Sequence, residues 1–129
     1  FHLPAKVDRV LLGAMSELPA ESILEGNDIF VEFKGALTEQ YVLQQLISDT
    51  PYTPYYYGNE KATFEQDFLI QKAKSIVPIE VKAEQNIRSH SLKTYCEKFQ
   101  PEEAVRFSTL KYKEQEWMVN IPLYAVCNL

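Results

Sequence analysis

The sequence predicts a mixed α/β domain in the order α-β-β-β-α-β, and three stretches predict it. Residues 29–48 carry apolar side chains at helical spacing. Residues 64–83 alternate with period two about a polar turn. Residues 92–99 return to helical spacing and lead into a second alternating run, 104–108. A helix lying between the hairpin and the last strand makes that strand parallel to its partner by the right-handed crossover. The sheet is therefore small and mixed, with helices flanking it.

Composition bounds the rest. At 129 residues the chain is one domain in size, and 46% hydrophobic content, 12% aromatics and four glycines exclude a disordered or fibrous chain. The net charge of −5 argues against strong unaided binding to nucleic acid, because that affinity comes from neutralising phosphates with Lys and Arg. No apolar run is long enough to span a membrane, and Phe1-His2-Leu3-Pro4 has neither the basic start nor the apolar core of a signal peptide, so a cytoplasmic protein is expected. Cys96 and Cys127 lack the spacing of a zinc site or redox pair and are expected to be reduced and buried. The chain opens without Met inside what reads as a continuing segment of a larger parent. Residues 1–27 are expected to be a trailing linker with short helices near Asp8–Met15 and Ala20–Leu24, and residues 28–129 the domain proper.

The first helix runs from Ile29 to Ser48, with Asn27 or Asp28 as N-cap and Asp49-Thr50-Pro51 as its stop. Gly35 weakens its middle. Glu39, Val42, Leu43, Leu46 and Ile47 form one stripe, so a carboxylate heads the apolar face. That position is costly unless Glu39 is paired, protonated, metal-bound or at the rim of the core, and the rim is the ordinary case. Tyr52, Tyr55, Tyr56 and Tyr57 then read as a first strand before the turn signal Gly58-Asn59. Core and edge packing explains such a cluster more simply than base stacking.

The hairpin Phe64–Ala83 carries the chemistry. With its turn centred between Ala73 and Lys74, residues whose numbers sum to 147 face each other. Phe68 then opposes Ile79 and Ile70 opposes Val77 on an apolar face, while Asp67 opposes Glu80 and Glu65 opposes Lys82 on an ionic one. Directly opposed side chains have Cβ atoms about 4.5–5.5 Å apart, where like charges are destabilising. A hard divalent cation such as Mg²⁺ would give Asp67 and Glu80 a reason to meet, with Lys82 beside a water or phosphate. The ordinary alternative is a pair of solvated carboxylates and a Glu65–Lys82 ion pair worth under about 1 kcal/mol.

After Ala83, Leu92, Tyr95, Cys96 and Phe99 form the stripe of a second helix that Pro101 ends. Lys93 falls off that face as an ordinary solvated lysine, and His90 has no partner in motif spacing. Ala104 to Ser108 alternates as a strand. The tail from Glu116, with Trp117, Met118, Val119, Ile121, Leu123 and Tyr124 about Pro122, is apolar enough to fold back on the core.

Together, Gly35-Ala36-Leu37-Thr38-Glu39, Glu65-Gln66-Asp67-Phe68 and Pro78-Ile79-Glu80-Val81-Lys82 resemble the C-terminal domain of unknown function of predicted bacterial and archaeal AAA+ ATPases. That domain is placed in the PD-(D/E)XK nuclease-like superfamily, with the restriction-endonuclease-like fold. The resemblance covers Gly35 to Leu110, and it departs from the signature where Gln66 replaces the proline before Asp67. It implies that Glu39, Asp67 and Glu80 are acidic ligands of Mg²⁺ or Mn²⁺ and that Lys82 activates water or stabilises charge on phosphate. It also implies an N-terminal P-loop ATPase as partner, whose Gly-rich Lys-Ser/Thr loop is not in this chain, and DNA as a candidate ligand. A non-catalytic module that uses the same fold to bind DNA or protein is the other expectation.

Overall fold

A helix that must bury one stripe and a hairpin that must bury one face find each other here. The structure, a computed structural model, describes residues 28–57, 66–83 and 89–129. Its elements are α1 (Asp28–Asp49), β1 (Tyr55–Tyr57), β2 (Gln66–Lys72), β3 (Ser75–Lys82), α2 (His90–Phe99), β4 (Val105–Ser108), β5 (Lys113–Glu114), β6 (Val119–Pro122) and a 3₁₀ segment, Leu123–Asn128. The expected α-β-β-β-α-β order is present, followed by β5, β6 and the 3₁₀ segment. The short helices expected before residue 28, the Asn27 cap, the Gly58-Asn59 turn and Glu65 with its pairing to Lys82 all lie outside the described residues.

The hairpin register is the expected one. Phe68 pairs with Ile79, Leu69 with Pro78, Ile70 with Val77, Gln71 with Ile76 and Lys72 with Ser75. A two-residue turn closes it, and its first residue, Ala73, has φ 56°. A Cβ in the left-handed region is strained by about 1–2 kcal/mol, a penalty glycine does not incur. Ala73 is exposed. Ala73→Gly is therefore expected to raise stability by about 0.5–1 kcal/mol, read as a higher urea midpoint at unchanged m-value.

β1, β2 and β3 are antiparallel neighbours; β4 joins β3 in parallel, as the crossover through α2 requires, and β6 joins β4 in parallel. β5 closes the edge antiparallel to β6, giving the order β1-β2-β3-β4-β6-β5. On one face, Phe68, Ile70, Val77, Ile79, Val105 and Phe107 are sealed beneath Val42, Leu43 and Leu46 of α1 and Val126 of the 3₁₀ segment. On the other, Leu92 of α2 packs with Ala104, Met118 and Cys96.

The hairpin's second face is expected to be ionic, either solvated or one wall of a metal pocket. Its middle is covered, because parallel strands reached through a crossover helix have that helix on them. Leu69 and Pro78 are buried in its middle.

Three other expectations change. Ile47 is 55% exposed although it continues the α1 stripe, whereas Gln40 is buried: spacing fixes the angle around the helix, not which turns lie over the sheet. Phe99 is also exposed. It sits at the rim with Tyr95 (ring centroids 4.6 Å apart) and Tyr57 (6.3 Å), and the Tyr57–Tyr95 contact is edge-on at 5.8 Å. Part of the tyrosine run thus packs against α2. Both cysteines are free, but Cys127 is exposed and Cys96 only partly buried. Gln100, left-handed at φ 46°, caps α2 by donating its N–H to the Cys96 carbonyl (2.9 Å), just before Pro101.

Candidate functional site

Open α/β sheets bind ligands beyond the carboxyl ends of their parallel strands, and β3 ends in Glu80-Val81-Lys82. Parallel pairing sets Glu80 beside Arg106 and Arg106 beside Asn120; one step further on, it sets Lys82 beside Ser108 and Ser108 beside Pro122. Val81 and Phe107 turn to the α1 core, so these polar residues share the opposite face, the one that carries α2.

Glu80 is 5% exposed. Its Oε1 lies 3.7 Å from Lys82 Nζ, and its Oε2 is buried with no hydrogen-bond partner among the described residues. A buried carboxylate oxygen without a donor costs about 1–3 kcal/mol or more, so it marks a place that something else is suited to fill. The Lys82 side chain is 38% exposed, leaving its ammonium reachable from solvent.

Beside Glu80, Arg106 is buried. Its Nε donates to Asn120 Oδ1 (2.8 Å) and its Nη1 to Ser89 Oγ (3.0 Å). Ser108 Oγ also donates to Asn120 Oδ1 (2.7 Å), and Asn120 Nδ2 donates to the carbonyls of Leu110 (3.3 Å) and Lys111 (3.0 Å). Asn120 is therefore fully satisfied and fixes the guanidinium. Burial pulls the Arg106 pKa below its ordinary value, and the charge of Glu80 opposes that fall. Burial also pushes the Cys96 thiol up to about 11, with the charges of Glu80 and Glu97 adding to it. A thiol so protonated is a poor nucleophile.

Asp67 reaches the site differently from the expected cross-strand pair. Tyr55 pairs with Leu69 but Tyr57 with Gln66, so two steps on β1 span three on β2: a bulge. The β2–β3 ladder ends at Phe68 and Ile79, and Asp67 and Glu80 are not one of its rungs. A continued ladder would send the Val81 N–H to the Gln66 carbonyl; it donates instead to Asp67 Oδ2 at 2.7 Å. Asp67 is thereby tied to the residue following Glu80. Glu39, on α1, is partly buried and is not without partners, which places it at the rim.

Among the described residues, no group of three or more His, Cys, Asp or Glu side chains stands close enough to hold a metal ion. The structure thus brings Asp67, Glu80 and Lys82 to one end of β3 without drawing Glu39, Asp67 and Glu80 into a single cage. A bare, buried Glu80 Oε2 with the Asp67 carboxylate on the neighbouring strand is donor chemistry of the kind a hard divalent cation would take.

Sequence reasoning missed Arg106, Asn120, Ser108 and Ser89. The alternation in 104–108 is the one signal that could have set Arg106 and Ser108 on the face away from Val105 and Phe107. The register that sets them against Glu80 and Lys82 is fixed by the α2 crossover, which leaves no local signal.

No curated protein and no solved structure matches the chain significantly. Among the described residues no helix is long and apolar enough to cross a membrane. A family model, Domain of unknown function (DUF4143), matches residues 34–125 and so takes in α1 from Lys34, every strand, α2 and every residue of the candidate site. The chain belongs to the DUF4143 family.

Proposed function

We propose that this domain is a nuclease-like module of the PD-(D/E)XK type, carried by a P-loop ATPase in a bacterial or archaeal cytoplasm and acting on phosphodiester bonds of nucleic acid. The observation that carries the reading is the bare, buried Oε2 of Glu80 at the carboxyl end of a parallel strand, two residues from a solvent-reachable lysine. Support comes also from the α-β-β-β-α-β order and from the Val81 N–H bond that ties Asp67 to the Glu80–Lys82 strand. In this reading Glu80, with Asp67, holds a divalent cation, and Lys82 stabilises charge on phosphate. A bound Mg²⁺ or Mn²⁺ would supply a more acidic water and offset the charge that grows on the phosphate.

A second reading, a non-catalytic module that binds DNA or a protein partner, is favoured by one arrangement. Lys82 already faces Glu80 Oε1 and Asp67 already serves the Val81 N–H, so the set has a structural use without any substrate. The deciding experiment is a Mg²⁺ or Mn²⁺ nuclease assay on linear, branched and single-stranded DNA. It compares wild type with Glu80→Gln in the ATPase-containing parent. Equal product from both proteins sinks the hydrolytic reading.

A further inference from the structure

Strand register draws one row of side chains across four strands. Glu80 on β3 stands beside Arg106 on β4, Arg106 beside Asn120 on β6, and Asn120 beside Lys113 on β5. Residues directly opposed on neighbouring strands share a face, so Lys113 lies on the α2 side of the sheet with Glu80. Three strand spacings of about 4.8 Å put it about 14 Å away.

Lys111 belongs to the same surface. Asn120 Nδ2 donates to the carbonyls of Leu110 and Lys111, which draws the β4–β5 loop over that row. The Leu110 N–H donates in turn to Ser108 Oγ (3.2 Å), and Ser108 is the sheet neighbour of Lys82. Acidic side chains outnumber basic ones, 18 to 13, yet Lys111 and Lys113 are exposed and neither has an ion-pair partner among the described residues.

Carboxylates gather at the other end of the strands. Glu102 and Glu103 stand just before β4 and Glu116 just before β6, and there Glu103 meets Lys72 and Glu102 meets Ser75 of the hairpin. Glu114, next to Lys113, falls on the opposite face by alternation and accepts the Tyr112 hydroxyl (2.6 Å). The negative net charge is thus directed away from Lys82, Lys111 and Lys113.

Resting on the nucleic-acid reading above, we propose that Lys111 and Lys113 hold the phosphate backbone of the nucleic acid whose scissile phosphate lies at Glu80 and Lys82. At about 3.4 Å of rise per nucleotide of one strand, 14 Å is about four nucleotides, so the two lysines meet phosphates a few positions from the point of cleavage. Arg106 and Asn120, buried between, fix that spacing.

The test is fluorescence anisotropy with a labelled DNA duplex from about 50 to 200 mM salt, in EDTA so that cleavage plays no part. Each phosphate contact contributes about 0.9 to the slope of log affinity against log salt. Lys111→Gln and Lys113→Gln should each lower that slope by about 0.9 and weaken binding at the lowest salt about 10-fold whatever the base sequence, with Lys111→Arg and Lys113→Arg retaining both. Lys74→Gln, in the hairpin turn at the opposite end of β3, should change neither. No binding by wild type, an unchanged slope in both glutamine variants, or an equal loss from Lys74→Gln overturns the proposal. So does competition by polyglutamate as effective as that by unlabelled DNA of equal charge, which marks an acidic protein partner instead. The two readings fail separately. Binding that depends on Lys111 and Lys113 in a protein without nuclease activity removes only hydrolysis; cleavage together with a slope indifferent to both lysines removes only the backbone track.

Discussion

Glu80→Gln is expected to lower phosphodiester hydrolysis by about 10²-fold or more while the domain stays folded. The amide keeps the shape of the side chain and removes the negative charge that a divalent cation needs. Preorganised charge of this kind typically accounts for 10²–10³ in rate. Folding should survive because, among the described residues, Glu80 has no direct hydrogen bond to lose: Oε2 has no partner there and Oε1 is 3.7 Å from Lys82 Nζ. The stability cost, at most about 3 kcal/mol, comes from leaving the buried Arg106 without its neighbouring negative charge. Asp67→Ala is a poorer probe, since it also strips the Val81 N–H of its acceptor. Product formation rates with Mg²⁺ and thermal unfolding, measured on the same preparations, separate the two effects. Lys82→Met gives an independent check, because a half-exposed lysine in a long ion pair contributes under about 1 kcal/mol to stability. If Glu80→Gln and Lys82→Met both cleave like wild type, the residues at the end of β3 are structural and the binding module is the better reading.

What the sequence made legible was whatever nearest neighbours decide. The pairing of Phe68 with Ile79 through Lys72 with Ser75 follows from alternation about a two-residue turn, and both lie within one short stretch. The parallel attachment of β4 follows from a helix being interposed, a rule of chain geometry. What failed was decided at a distance. Ile47 and Phe99 continue the stripes of their helices yet are exposed, and Asp67 lies where β2 carries an extra residue against β1. The candidate site was half legible for the same reason. Asp67, Glu80 and Lys82 could be named from one hairpin, but the arginine beside Glu80 belongs to a strand whose register is set by the crossover.

That arginine carries the second large effect. Arg106→Met is expected to destabilise the domain by about 3 kcal/mol, in the range for breaking a buried charge pair. The substitution keeps most of the volume but loses the Nε bond to Asn120 and the Nη1 bond to Ser89, each worth about 1 kcal/mol. It also leaves Glu80 buried with only the distant Lys82 ammonium to answer it. A cycle with Glu80→Gln isolates that last contribution. In the Arg106→Met background, neutralising Glu80 removes an uncompensated charge, so it should cost less than in wild type or even stabilise, with a coupling of about 1–3 kcal/mol in urea unfolding. Additivity within about 0.5 kcal/mol would mean that the two side chains, neighbours on one rung, do not sense each other. Coupling of the expected size has a functional consequence. It would mean that Arg106, held by Asn120 and Ser89, supports the charge of Glu80 without hydrogen-bonding to it, and so leaves Oε2 open to a ligand.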